Sequence, residues 1–308
     1  MVNKKITIVG AGKVGATVAQ SLAYKNFADI VLVNRTVEKA QGIALDLMQS
    51  APVEGFDVKV TGTGDYRETK NSDVVVITAG LPRKEGMSRD ELVAANTDIV
   101  KGITKELAKY SPKAVMIVVT NPLDVMTYVA WKVSGFKTNK VVGMAGILDT
   151  SRFRYFLSEE LKVSPKDVST VVLGGHGDFM LPLINHTFVK GKPIPKLLSN
   201  EKIDKIVKRT VDAGAEIIKR EGDSAYYTPA SSVVQMVECF LNNEKKTLPC
   251  SAYLNGEYGI KGVFIGVPVK LGKNGAEKII ELDLTSEEKE HLQNSANKIK
   301  EMIKITGM

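Results

Sequence analysis

Apolar and polar positions fall into two kinds of block along the first half of the chain. Short runs rich in Val and Ile, at residues 6–9, 30–33, 58–61, 74–78, 114–119 and 141–144, read as strands. Stretches between most of them, at 14–25, 38–49, 91–110 and 123–134, carry apolar residues at helical spacing. Runs such as Asp73-Val-Val-Val-Ile-Thr-Ala show no polar alternation, as expected for strands covered on both faces. Strands of this type alternating with helices predict a parallel, doubly wound α/β sheet.

Beyond about Ala145 the pattern changes. A helix at 151–161 precedes a strand at 169–173, and Gly191 and Pro193 suggest a hairpin. Helices follow near 202–221 and 229–242. In the first, Ile203, Ile206, Val207, Val211, Ile217 and Ile218 form one stripe. Strands at 248–254 and 262–269 lead to a last helix from about Ser286, where Thr285 and Glu288 fit a capping box. This half reads as α+β. No Pro-, Gly- or Ser-rich linker intervenes, so two closely packed units are expected, 1–145 and 146–308.

The 308 residues are 44% hydrophobic and 25% charged, a globular composition able to bury a large core. Two cysteines, Cys239 and Cys250, are too few for a disulfide framework or a metal cluster, and imply a reduced, intracellular protein without a metal. Residues 114–133 are the longest apolar region, but Asn121, Pro122 and Asp124 exclude a membrane span. The net charge of +7 is scattered, which argues against nucleic-acid binding and fits a solvated surface attractive to small anions.

The glycine turn Gly10-Ala11-Gly12-Lys13-Val14-Gly15 joins the first strand to the first helix. In that context it points to a dinucleotide site: Gly10 for the turn, Gly12 for approach to a pyrophosphate, and Gly15 for helix–strand packing. A turn without a ligand is the alternative. The second strand ends in Asn34-Arg35-Thr36, 19 residues after Gly15, where a carboxylate ordinarily holds the ribose hydroxyls of NAD. Asn34 would not repel a 2′-phosphate, Arg35 would attract one, and Thr36 adds a hydroxyl. NADP is therefore expected to be accepted, even preferred. Alternatively, Asn34 bonds the ribose and Arg35 faces solvent.

Gly80-Leu-Pro-Arg83-Lys-Glu-Gly86-Met-Ser-Arg89 leaves the carboxyl end of a strand, where ligands bind in such sheets. It reads equally as a lid bearing two guanidinium groups or as an exposed basic loop. Asp149 and Arg152 share a helix face if a helix spans both. His176 stands among glycines after a strand, and a buried carboxylate beside it would set its tautomer and raise its pKa. His186, His291 and Cys239 are assigned no role.

Together the glycine turn, the Leu-Pro-Arg-Lys-x-Gly-Met-Ser-Arg lid, Thr120-Asn121-Pro122, Leu148-Asp149-Thr-Ser-Arg152 and Gly-Gly-His176-Gly-Asp resemble the lactate/malate dehydrogenase family, in its lactate dehydrogenase-like malate dehydrogenase branch. The resemblance runs from Ile6 to the final helix. It implies a Rossmann domain followed by an α+β substrate domain. It implies that His176 accepts and donates a proton, Asp149 orients it, Arg152 holds a substrate carboxylate, Arg89 polarises the carbonyl, and Asn121 bonds the same oxygen and helps place the nicotinamide. Asn96, Val119 and Thr120 would lie against the cofactor. Arg83, where lactate dehydrogenases carry a neutral residue, would select a second carboxylate and hence malate or oxaloacetate. It further implies a cytoplasmic, tricarboxylic acid cycle enzyme that is a homo-oligomer, a tetramer rather than a dimer. Lactate dehydrogenase is the alternative within the family. A non-catalytic dinucleotide-binding redox sensor is the alternative outside it, and predicts a broken catalytic set.

Overall fold

The structure, a computed structural model, describes residues 4–82 and 88–308, without the Arg89 side chain. Arg83, Lys84, Glu85, Gly86 and Met87 lie outside the described residues. Six strands, β1 (Lys5–Val9), β2 (Asp29–Val33), β3 (Val60–Thr63), β4 (Val74–Ile77), β5 (Val115–Val118) and β6 (Val141–Gly143), pair in parallel in the order β3-β2-β1-β4-β5-β6. Helices α1 (Lys13–Lys25), α2 (Val37–Glu54), α3 (Arg89–Tyr110) and α4 (Leu123–Ser134) connect them. Strands β1, β4 and β5 are buried almost throughout, as the unbroken apolar runs of β4 and β5 require; in β1 the buried Thr7 hydroxyl meets Ser72 Oγ at 2.7 Å. The strand order reverses direction between β1 and β4, and that crevice is where a doubly wound sheet offers a ligand site.

Helix α5 (Gly146–Leu161) begins five residues before the expected Ser151. Gly146, Leu148, Asp149 and Thr150 are buried in its first turn, and Ser151 Oγ donates to the Leu148 carbonyl instead of capping. Burial of that turn overrides the capping preference of serine, and it places Asp149 and Arg152 on one helix. The expected strand at 169–173 divides into β7 (Val168–Ser169) and β8 (Val172–Gly174), which enter different sheets. At the division Val172 N–H donates to Thr150 Oγ1 at 3.0 Å.

Strand β9 (Met180–Pro182) pairs with β8, and the expected hairpin is β10 (Phe188–Val189) with β11 (Lys192–Pro193), joined to β7 in a three-stranded sheet. Helices α6 (Asn200–Glu221) and α7 (Tyr227–Asn242) precede β12 (Lys246–Asn255), β13 (Lys261–Gly272) and β14 (Gly275–Ile279). The last of these carried no sequence signal. Helix α8 (Ser286–Ile305) opens with the Thr285–Glu288 capping box. Strand β12 pairs antiparallel with β6 through Ser251 and Gly143, so a single sheet runs on through β13 and β8 to β9. One hydrophobic core spans both halves, and a second cluster lies around α5 and α6. No helix among the described residues is long and apolar enough to cross a membrane.

Candidate active site

The glycine turn sits at the crevice between β1 and β4. Gly10 has φ +114°, donates its N–H to the Val33 carbonyl at 2.8 Å, and accepts from Thr78 Oγ1 at 3.1 Å. A Cβ there would stand 2.6 Å from Thr78 Oγ1, and one on Gly15 would overlap the Gly10 carbonyl oxygen. Protein atoms therefore exclude side chains at both positions. Gly12 differs, because beyond its own chain neighbours no atom of the described residues lies within 4 Å of its would-be Cβ. It caps α1 without any side-chain bond, and the first turn of α1 has no acidic residue. Open space at an uncompensated helix N-terminus fits a dinucleotide phosphate. Gly12, Lys13, Val14 and Gly15 all border the same cavity.

Two adjoining cavities meet at this turn. The first, about 1240 Å³, is lined by Gly10, Ala11, Asn34, Arg35, Lys39 and Arg67 among others. Asn34 Oδ1 accepts the Ala11 N–H at 3.2 Å, and its Nδ2 donates to the Thr36 carbonyl at 3.0 Å. The side chain thus ties strand end, glycine turn and helix start together. Arg35 is exposed on the cavity wall, and Thr36 is the exposed N-cap of α2.

The second cavity, about 760 Å³, brings Asn121, Arg152 and His176 together, with Val119 and Thr120 also in its lining. His176 Nδ1 is 2.9 Å from Asp149 Oδ2. The carboxylate only accepts, so Nδ1 carries the hydrogen and Nε2 remains for the cavity. Arg152 Nη1 faces the other oxygen, Oδ1, at 3.6 Å. Asp149 is 2% exposed and His176 17%, so little water screens the pair. Burial pushes the His176 pKa down. The Asp149 charge and hydrogen bond push it up, Arg152 opposes, Asp124 assists, and the result lies above the ordinary value. Burial holds the Arg152 pKa below its usual value, with Asp149 opposing. Its Nε is buried and has no hydrogen-bond partner among the described residues.

Asn96 is fully buried and does not border either cavity. Its amide accepts the Leu81 N–H at 2.7 Å and donates to the carbonyls of Leu81 and Asn121, at 3.1 and 2.7 Å. It joins Leu81, which follows β4, to the Asn121 turn. Ser88 and Glu91 form a capping box on α3. Arg83 and the side chain of Arg89, the two cations expected on a lid, lie outside the described residues. Among the described residues no group of three or more His, Cys, Asp or Glu could hold a metal ion.

Sequence reasoning missed several residues at the site. Asp124, in the first turn of α4, accepts the His176 N–H at 3.0 Å on Oδ2 and the Ser251 hydroxyl at 2.6 Å on Oδ1. Burial pushes its carboxyl up to about 6, against those two hydrogen bonds. Ser295 on α8 accepts the Gly175 N–H at 2.8 Å. Val211 and Gly214 bring α6 to the cavity, joined by the turn at Asp223–Tyr226. An acidic residue in a first helical turn is the only local sign that pointed to Asp124; the serines carried none.

Comparison with known proteins shows the family of the chain. A family model described as the lactate/malate dehydrogenase NAD binding domain matches residues 4–143, and the alpha/beta C-terminal domain of the same family matches 147–306. The malate dehydrogenase of Heliobacterium modesticaldum is 53% identical over 309 residues, covering all of both chains. The structure of malate dehydrogenase from Salinibacter ruber is 50% identical with a TM-score of 0.94, covering 98% of this chain and 97% of that one. A Cryptosporidium parvum lactate dehydrogenase, solved with lactic acid and nicotinamide adenine dinucleotide, is 40% identical with a TM-score of 0.96, over 100% and 99% of the two chains. With both family domains matched across nearly its whole length, the chain belongs to the lactate/malate dehydrogenase family.

Proposed function

We propose that this chain interconverts (S)-malate and oxaloacetate, with His176 moving the proton and Arg152 anchoring the substrate. The observation that carries the reading is the buried, unpartnered Nε of Arg152 beside a histidine whose Nε2 is free for the cavity. A desolvated guanidinium whose Nε has no hydrogen-bond partner, and whose Nη1 meets Asp149 only at 3.6 Å, favours a carboxylate held through two N–H bonds. A carboxylate seated there brings the neighbouring carbon and its oxygen toward His176 and Asn121.

NAD, when bound, supplies the two-electron acceptor or donor. The residues do the rest. His176 takes the hydroxyl proton in malate oxidation and returns one in oxaloacetate reduction. Asp149 holds the ring's tautomer and favours the imidazolium. Asn121 donates to the carbonyl oxygen. Arg89 adds a positive charge where negative charge develops. Arg83 meets the far carboxylate, and closure of the lid excludes water. Asn96 sets the Asn121 turn, and Val119 and Thr120 border the cofactor. On this reading the chain divides into a dinucleotide-binding part, 1–145, and a substrate-binding part, 146–308.

NADP is accepted as well as NAD, because position 34 is Asn and not a carboxylate, and Arg35 and Lys39 line the same cavity as Asn34. We further propose a cytoplasmic enzyme of the tricarboxylic acid cycle that works as a homotetramer, a reading supported by the family resemblance alone. Initial rates with oxaloacetate or pyruvate, each with NADH and NADPH, test the reading. Faster turnover of pyruvate than of oxaloacetate makes it a lactate dehydrogenase, and no turnover of either favours a redox sensor.

A further inference from the structure

We propose that Asp124 is a positioning residue for proton transfer, fixing the backbone that carries His176 and so the place of the ring. The inference rests on the reading of His176 as the proton carrier. His176 lies in an arch, Gly174-Gly175-His176-Gly177, with φ +86° at Gly174 and +91° at Gly177. Glycines on both sides leave the path of this backbone poorly defined by its own sterics. External partners define it instead. Ser295 takes the Gly175 N–H, and Asp124 takes the His176 N–H at 3.0 Å.

Asp124 is itself held from two sides. It is 4% exposed, sits on α4, and receives the Ser251 hydroxyl from β12 at 2.6 Å. Its partners lie 52 and 127 residues away in the chain, so the clamp ties both halves of the protein to one peptide. Both partners are donors, and a carboxylate offers an acceptor to each. A cavity of about 120 Å³ adjoins Asp124 and His176 beside Phe179 and Met302, which gives an unclamped arch room to relax. Asp124 does not border the cavity that contains Arg152 and Asn121, so it acts through His176 and not on the substrate.

The test compares Asp124→Ala, Asp124→Asn and His176→Asn, and combines the first with the third. The readouts are kcat, KM for oxaloacetate, the dissociation constant of NADH and Tm. Removing the clamp is expected to lower kcat about a hundredfold, the scale of a misplacement near 1 Å, with NADH affinity unchanged. Asp124→Asn keeps one acceptor for the His176 N–H and should recover kcat to within about tenfold of wild type. In the His176→Asn background Asp124→Ala should add no further loss, since both act through one group. A folded Asp124→Ala enzyme with wild-type kcat overturns the inference, as does an undiminished loss in the double variant. If Asp124→Ala does not fold, Ser251→Ala must lower kcat with NADH affinity intact, and an unchanged kcat there overturns it equally. Retained turnover in His176→Asn alone sinks the reading of His176, and this inference with it. A dead His176→Asn beside a normal Asp124→Ala sinks only this inference.

Discussion

His176 Nδ1 and Asp149 Oδ2 stand 2.9 Å apart, joining the glycine arch after β8 to the first turns of α5. The carboxylate also faces Arg152, so one buried anion serves an ionisable ring and a permanent cation. Burial lowers the ring's pKa, but the Asp149 charge and hydrogen bond outweigh it and the net shift is upward. The sign of the pH dependence follows. Malate oxidation needs the neutral ring, so its kcat/KM should fall as pH drops through the raised pKa. Oxaloacetate reduction needs the imidazolium, so its kcat/KM should fall as pH rises through the same value. Asp149→Asn removes the Asp149 charge, so burial and Arg152 outweigh what Asp124 and a neutral amide acceptor still contribute. Both limbs should then move to lower pH, with turnover down about a hundredfold or more. pH–rate profiles in the two directions check this, and limbs that stay put would mean another group titrates.

His176→Asn should reduce turnover by about 10²- to 10⁴-fold, the usual range for a lost general acid–base, with NADH binding retained. Fluorescence titration of NADH beside single-turnover rates separates the two quantities. Loss of both together would place His176 in cofactor binding.

Arg83→Gln should move preference from oxaloacetate toward pyruvate. A closed site that faces a methyl group with an unpaired cation loses several kcal/mol, or roughly a thousandfold in rate. The ratio of kcat/KM for the two oxoacids, measured before and after the change, reports it. An unaltered ratio removes Arg83 from substrate selection.

Asn34→Asp tests the cofactor. Asn34 Oδ1 already accepts the Ala11 N–H, and aspartate keeps that bond. Its second oxygen, however, replaces the donor to the Thr36 carbonyl and sets a negative charge beside Arg35 on the cavity wall. A 2′-phosphate is then repelled. kcat/KM with NADPH should fall by about tenfold or more relative to NADH, about 1.4 kcal/mol. A constant NADPH:NADH ratio counts against the 2′-phosphate reading.

The six parallel strands and the glycine turn were legible in the sequence because strand periodicity and glycine chemistry are local. So was the set Asp149, Arg152 and His176, through spacing and resemblance. What escaped was non-local. The buried first turn of α5 is decided by packing, not by Ser151. The split of β7 from β8 depends on which sheet each half finds, and β14 exists because β13 offers it an edge. Asp124 and Ser251 carry no shared motif, since their hydrogen bond joins residues 127 apart. The reading of Asn34 as a ribose or phosphate contact also missed that its amide already bonds Ala11 and Thr36.

Gly214 offers the sharpest separation of stability from function. It lies well inside α6, where glycine is about 1 kcal/mol less favourable than alanine. No described residue requires it, because among them a Cβ there would meet only Arg152 Nη2, at an ordinary 3.9 Å. Yet Gly214 borders the cavity with Arg152 and His176, so an added methyl group would occupy space beside the guanidinium. Gly214→Ala should therefore stabilise the protein by about 1 kcal/mol in denaturant titration. It should also raise KM for oxaloacetate about tenfold, the scale of one misplaced methyl group in a substrate pocket. A more stable enzyme with an unchanged KM would mean that the substrate does not reach this wall of the cavity, and that Arg152 presents its carboxylate site from another side.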